Sequence, residues 1–226
     1  MDDSENKDAE LELRGPGESA KGWYSRGYLP HLDSIHALQF ITFRLADSLP
    51  KNQLEQLECE LKQLKSVRNL ESVKRKRIDQ WLDAGYGCCA LGHPEMARVM
   101  EQALLKFDGM RYQLIAWCIM PNHVHVLIEP QEPLSKIVQS WKSFTARWAL
   151  RKNAELELRV PGRKLWMPDY WDRFIRDQQH FEQVIDYIHR NPVKAGLCSR
   201  PEDWHWSSAR DRGAPAPQQQ RQEKTP

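Results

Sequence analysis

Hydrophobic and polar positions alternate with a period of two from Ala37 to Leu45. Leu38, Phe40, Thr42 and Arg44 fall on one side, and Gln39, Ile41, Phe43 and Leu45 on the other. That alternation predicts a first strand. Pro50 then opens a helical stretch, and Leu54, Leu57, Leu61 and Leu64 follow at three- and four-residue spacing, the stripe of an arm packed on its own domain. A second helix is expected from Pro94, with Met96, Val99, Ala103 and Phe107 on one side and Asp108-Gly109 closing it. Tyr112 to Ile119 reads as a strand, and the Met120-Pro121-Asn122 turn leads directly into the next, so the two should pair as a hairpin. Leu134 to Lys152 carries a helical stripe of Leu134, Ile137, Val138, Trp141, Thr145 and Trp148. Trp166 to Arg176 is expected as a last strand. Asp177 is the expected N-cap of a final helix whose buried stripe is Phe181, Val184, Ile185 and Ile188 and which Pro192 should end.

This element order predicts an α+β fold: a ferredoxin-like split βαβ with helices packed on a central antiparallel sheet. A doubly wound parallel sheet is disfavoured because the middle two strands form a tight hairpin.

The chain of 226 residues has room for one domain with a real core. Residues 1–26 are charged and poor in large apolar groups, and residues from 213 on are rich in Pro and Gln. Both are expected to be disordered tails. The domain is placed at residues 27–212, with residues 50–82 as a helical insertion. No apolar run approaches the roughly 20 residues of a membrane span. The acidic opening Met1-Asp2-Asp3-Ser4-Glu5 is unlike a signal peptide. A cytoplasmic protein without a membrane partner is expected. Cys59, Cys88, Cys89, Cys118 and Cys198 are odd in number and contain no Cys-x-x-Cys pair, so reduced thiols are expected rather than disulfides or a cysteine zinc site. A net charge of +2 hides segregation, with basic residues at Lys74-Arg75-Lys76-Arg77 and between Lys136 and Lys152. That pattern permits a polyanionic partner.

The chemistry gathers at two places. On the strand after Asn122, His123 and His125 are two apart and point the same way, whereas Val124, Val126 and Ile128 point into a core. Two imidazoles on one face of a rigid strand make half of a metal site. On the final helix, Tyr187 and Asn191 are four apart and stack at the edge of the buried stripe. Spacing alone leaves Tyr170 and Tyr112 as rival nucleophiles. On the Leu134–Lys152 helix, Lys136, Ser140, Ser143, Arg147 and Arg151 share the face away from the stripe, either solvated or in contact with phosphates.

The combination of Pro121-Asn122-His123-Val124-His125-Val126-Leu127 with Tyr187-Ile188-His189-Arg190-Asn191-Pro192-Val193-Lys194-Ala195-Gly196 resembles the single-tyrosine HUH transposases, among them the REP-associated tyrosine transposases of bacteria. Supporting matches are Tyr28-Leu29-Pro30-His31, Phe40-Ile41-Thr42-Phe43-Arg44-Leu45, Asp172-Arg173-Phe174-Ile175-Arg176 and Trp204-His205-Trp206-Ser207-Ser208-Ala209, so the likeness runs from about residue 27 to 210. The resemblance implies single-stranded DNA cleavage and rejoining through a 5′-phosphotyrosine. It implies Tyr187 as nucleophile and His123, His125 and Asn191 as ligands of a divalent cation, Mg²⁺ or Mn²⁺. Relatives often have glutamine at the position of Asn191. The expected partner is single-stranded or hairpin DNA, with Lys136, Lys142, Arg147, Arg151, Arg173 and Arg176 as candidate contacts, and a homodimer is left open. Two alternatives stand beside this reading: a domesticated hairpin-binding protein without mobilising activity, and a metal hydrolase built on the histidine pair. The Leu54–Arg77 stretch is given no catalytic role.

Overall fold

The computed structural model describes residues 22–25, 30–33, 36–49, 52, 55, 59–60, 70–160, 162 and 164–213. The Leu54, Leu57, Leu61 and Leu64 stripe lies outside these residues, as do the expected tails apart from residues 22–25, which form a strand rather than part of a disordered tail, and residue 213, which closes a short 3-10 turn. Strands β1 (Gly22–Ser25) and β2 (Pro30–Asp33) pair antiparallel as a small separate ribbon. The main sheet contains β3 (Gln39–Arg44), β4 (Tyr112–Ile119), β5 (His123–Pro130) and β6 (Trp171–Phe174). Its spatial order is β4-β5-β3-β6, and each pairing is antiparallel. With the hairpin β4-β5 at one side and the first strand of the sheet beside β5, this is the strand order of a split βαβ fold. Helix α1 spans Leu70–Asp83, α2 Pro94–Leu105, α3 Leu134–Lys152 and α4 Gln178–Lys194.

The period-two pattern divides the sheet into two faces. Ile41, Phe43, Val124, Val126 and Ile128 form one core with Met96, Met100 and Leu104 of α2 and Ile137, Val138 and Trp141 of α3. Phe40, Ala116, Cys118 and Leu127 form the other with Val184, Ile185 and Ile188 of α4. Each fully buried aliphatic side chain contributes about 1.5–3 kcal/mol, so α4 is held by its own apolar stripe against the face that also bears His123 and His125. The sheet therefore lies between α2 and α3 on one side and α4 on the other.

The β4-β5 hairpin and the bounds of α3 agree with the sequence pattern. Three expectations are corrected. The first strand is shorter than Ala37–Leu45. Leu45 makes only an isolated bridge with Trp166. The last strand is confined to Trp171–Phe174, since the approach from Trp166 is irregular. Pro192 does not end α4, which continues to Lys194. A proline removes one donor and crowds the preceding turn, but here the chain keeps turning, with Ala195 N–H bonded to the Asn191 carbonyl. The stop comes at Gly196, whose φ of +71° favours glycine.

Candidate active site

Antiparallel register sets Thr42 opposite His125 and Arg44 opposite His123. Both histidines are buried, at 1% exposure. His125 Nδ1 lies 2.8 Å from Thr42 Oγ1. His123 Nδ1 lies 2.7 Å from Asn122 Oδ1. The orientation of that amide is fixed from its other end, because Asn122 Nδ2 donates to the carbonyls of Leu82 at 3.2 Å and Tyr86 at 3.1 Å. Oδ1 must then accept, so His123 Nδ1 carries the proton and Nε2 carries the lone pair. Burial, with a smaller contribution from the Lys194 charge, pushes the His123 pKa down to about 3. The imidazole is therefore neutral at physiological pH, as a metal ligand must be.

The two Nε2 atoms converge to 3.0 Å. Two lone pairs at that distance repel unless a proton or a cation lies between them. Imidazole nitrogens bind metals at about 2.0–2.1 Å, so neighbouring ligands of one ion lie about 3 Å apart. Partners on both Nδ1 atoms are the outer support such ligands require.

Helix α4 closes the site from above. The Tyr187 ring lies with its centre 5.3 Å from that of His125 and 5.8 Å from that of Phe40, both in edge-on contact. Asn191, one turn on, is 1% exposed, and its Oδ1 and Nδ2 have no hydrogen-bond partner. A buried amide without partners costs about 1–3 kcal/mol, so this donor set fits a third ligand for an ion held by the histidines. Among the described residues no cluster of three His, Cys, Asp or Glu side chains could hold a metal. The hydrolase alternative therefore finds no acidic third ligand there.

The rival tyrosines lie in the other layer. Tyr112 is fully buried, donates to the Leu104 carbonyl at 2.6 Å and accepts from Trp141 Nε1 at 2.9 Å. Tyr170 is 7% exposed and packs in that same core. Of the candidate DNA contacts, Arg173 stands opposite Phe40 and so shares the histidine face, and Arg176 is exposed just beyond. Lys136, Arg147 and Arg151 are exposed on α3, across the sheet from the histidines. Lys142 is committed elsewhere: its ammonium donates to the carbonyls of Met167 at 3.0 Å, Pro168 at 3.3 Å and Asp169 at 2.9 Å. Burial lowers its pKa to about 8, against the opposing pull of Asp169.

Several known proteins are similar to this chain. Residues 93–191 match the family model described as IS200-like transposase. Over that segment, less than half of its length, the chain is similar to that transposase family. It is 26% identical over 116 residues to the REP-associated tyrosine transposase of Escherichia coli, covering 49% of this chain and 63% of that one. A Haemophilus influenzae protein provisionally named for the same class is 30% identical over 106 residues, covering 43% of this chain and 58% of that one. The chain thus spans less than two thirds of the length of both curated relatives. A solved structure of a REP-associated tyrosine transposase bound to a REP hairpin aligns with a TM-score of 0.49 at 19% identity, covering 84% of each chain.

The segment that matches the IS200-like transposases includes His123, His125, Tyr187 and, as its last residue, Asn191. It leaves out Thr42, which holds His125, and the Leu82 carbonyl that fixes Asn122. Sequence reasoning gave these residues no role. Thr42 stands at an inward position on the face that Phe40 shares, a signal readable only once the register with His125 is known.

Proposed function

We propose that the chain cleaves and rejoins single-stranded DNA through a 5′-phosphotyrosine intermediate. The observation that carries this reading is the tyrosine against His125 above the paired Nε2 atoms, with an unpartnered buried amide one turn along the tyrosine's helix. His123, His125 and Asn191 would hold a divalent cation, Mg²⁺ or Mn²⁺. A cation there supplies Lewis-acid stabilisation of a phosphate oxygen. Thr42 and Asn122 keep the imidazoles in place. Tyr187 Oη attacks phosphorus, the bond to the 3′ oxygen breaks, and the phosphate stays on the tyrosine. The phenol loses its proton to solvent as the 3′ oxygen takes one up. Return attack by the 3′-hydroxyl restores the strand, and the ester conserves the bond energy, so no nucleotide cofactor is required. Phe40 holds the tyrosine ring edge-on and limits its movement.

Arg173 and Arg176 would guide the strand toward the histidine face. Lys136, Arg147 and Arg151 would contact backbone phosphates farther off. Lys142, occupied by three carbonyls, is not retained as a contact. A folded hairpin with an unpaired flank is the substrate class, in keeping with the REP-associated relatives.

The test uses the full chain, Mn²⁺ and single-stranded oligonucleotides from palindromic repeats beside its gene. Wild type should give a covalent band on a denaturing gel, with the nucleotide on Tyr187 by mass spectrometry. Tyr187→Phe should lose the band and still bind DNA. A nucleotide on Tyr112 or Tyr170, or undiminished cleavage by Tyr187→Phe, would refute the proposal.

A further inference from the structure

Lys194 closes α4 seven residues after Tyr187, two turns on and so on the same side of the helix. Its ammonium lies 6.0 Å from the centre of the Tyr187 ring. Its charge also acts on His123, so α4 presents Tyr187, Asn191 and Lys194 in succession along the site. The Asp83 carboxylate accepts from Lys194 Nζ at 2.6 Å. The two partners are unequally covered: the Asp83 side chain is 13% exposed, and that of Lys194 is 51% exposed.

Asp83 is the last residue of α1, and both it and Lys194 lie outside the segment that matches the family. The same helix end is also tied to the histidine strand. The Leu82 carbonyl accepts from Asn122, whose oxygen holds His123. One end of α1 thus reaches both halves of the site. A partly exposed ion pair adds little to stability, so stability gives small reason for this contact. Position gives a better one. An ammonium has three donors. One is taken by Asp83, and the half-exposed side chain leaves the others open to a ligand beside the Tyr187 ring. Lysine on its flexible stem is a point charge suited to phosphate once its stem is fixed.

We propose that Asp83 is a positioning residue that holds the Lys194 ammonium beside Tyr187, where it binds a non-bridging oxygen of the phosphate that Tyr187 attacks. The proposal rests on the reading of Tyr187 as nucleophile, and it gives the helical stretch before the family segment a part in the reaction.

The experiment uses the full chain and the oligonucleotide that labels wild type. Single-turnover adduct formation, DNA affinity and amide exchange are measured for Asp83→Asn, Lys194→Met, Lys194→Arg and the double variant of the first two. Asp83→Asn should slow the adduct about tenfold to a hundredfold, the scale lost when a partner orienting a site residue is removed, with affinity nearly unchanged. Lys194→Met should be at least as slow, and Lys194→Arg should recover most of the rate. The double variant should be no slower than Lys194→Met, because Asp83 acts through Lys194. Amide exchange at residues 193–197 should quicken in Asp83→Asn. Wild-type rates in Asp83→Asn, multiplicative losses in the double variant, or unchanged exchange would overturn the proposal alone. Absence of any adduct from wild type would overturn it together with the reading of Tyr187.

Discussion

Asn191 is the residue that separates a functional site from a packed core. Its amide is 1% exposed and has no hydrogen-bond partner. If it serves only packing, an apolar replacement should fit its surroundings poorly and destabilise the fold. If it serves a ligand, the replacement should remove an unsatisfied group and leave stability equal or higher, by up to about 1–3 kcal/mol. We expect Asn191→Leu to hold or raise the melting temperature without metal and to weaken Mn²⁺ binding about tenfold or more, as read by calorimetry. A clear fall in melting temperature with unchanged Mn²⁺ affinity would make Asn191 a core residue. Thr42 gives a companion prediction. Thr42→Val keeps the shape and removes the hydroxyl 2.8 Å from His125 Nδ1. Mn²⁺ affinity should fall about tenfold to a hundredfold, with the strand intact by amide exchange. Equal affinity would show that the hydroxyl does not orient His125.

At the scale of elements, what could be read from the sequence was what repeats locally. The His-x-His pair with Val124, Val126 and Ile128 on the other face follows from strand period alone, and the structure keeps that division. The stripe of α3 and the Asp177 cap of α4, which accepts from His180 N–H at 2.7 Å, are local as well. The pairings that make the site are not local. Thr42 meets His125 across 83 residues of chain, and Asn122 meets the Leu82 carbonyl across 40. No periodicity encodes such register. Lys142 was misleading for the same reason: its helix position suggested a free cation, but the loop at Met167–Asp169 folds back onto it. Lys142→Met should therefore cost stability, about 1–3 kcal/mol for carbonyls left without a donor. DNA affinity should not change. Weakened DNA binding at unchanged stability would restore it as a contact.

The loop after α1 decides whether that helix reaches the site. Gly87 has φ +94°, and a Cβ there would lie 2.7 Å from the backbone oxygen of Asp47. The next residue donates its N–H to the Asp47 carboxylate at 2.7 Å. Neither the conformation nor the space admits another residue without displacement. Gly87→Ala should loosen the α1 end, seen as faster amide exchange at residues 80–88 and 122–125, with the α2 and α3 core protected as before. Exchange unchanged in both segments would show that α1 docks independently of this turn.

For the whole molecule, the sheet separates two basic regions. Arg173 lies on the histidine face near Tyr187, and Lys136, Arg147 and Arg151 lie on α3 behind the opposite core. On the proposed reading, a strand reacting at Tyr187 would touch the first region directly, and only a longer, folded DNA would extend to the second. Charge reversal should therefore act differently on the two. Glutamate at Lys136, Arg147 and Arg151 together should weaken binding of a hairpin oligonucleotide and flatten its salt dependence by up to about 0.9 for each duplex phosphate that the protein no longer neutralises. Binding of a short unpaired strand should be unaffected, and the adduct rate at saturating DNA should be unchanged. Arg173→Glu should weaken binding of the hairpin and the short strand alike. Equal losses for both DNAs from the α3 variant would place its charges on the reacting strand itself. No loss for either would leave the α3 face to solvent, with the DNA held on the histidine side alone.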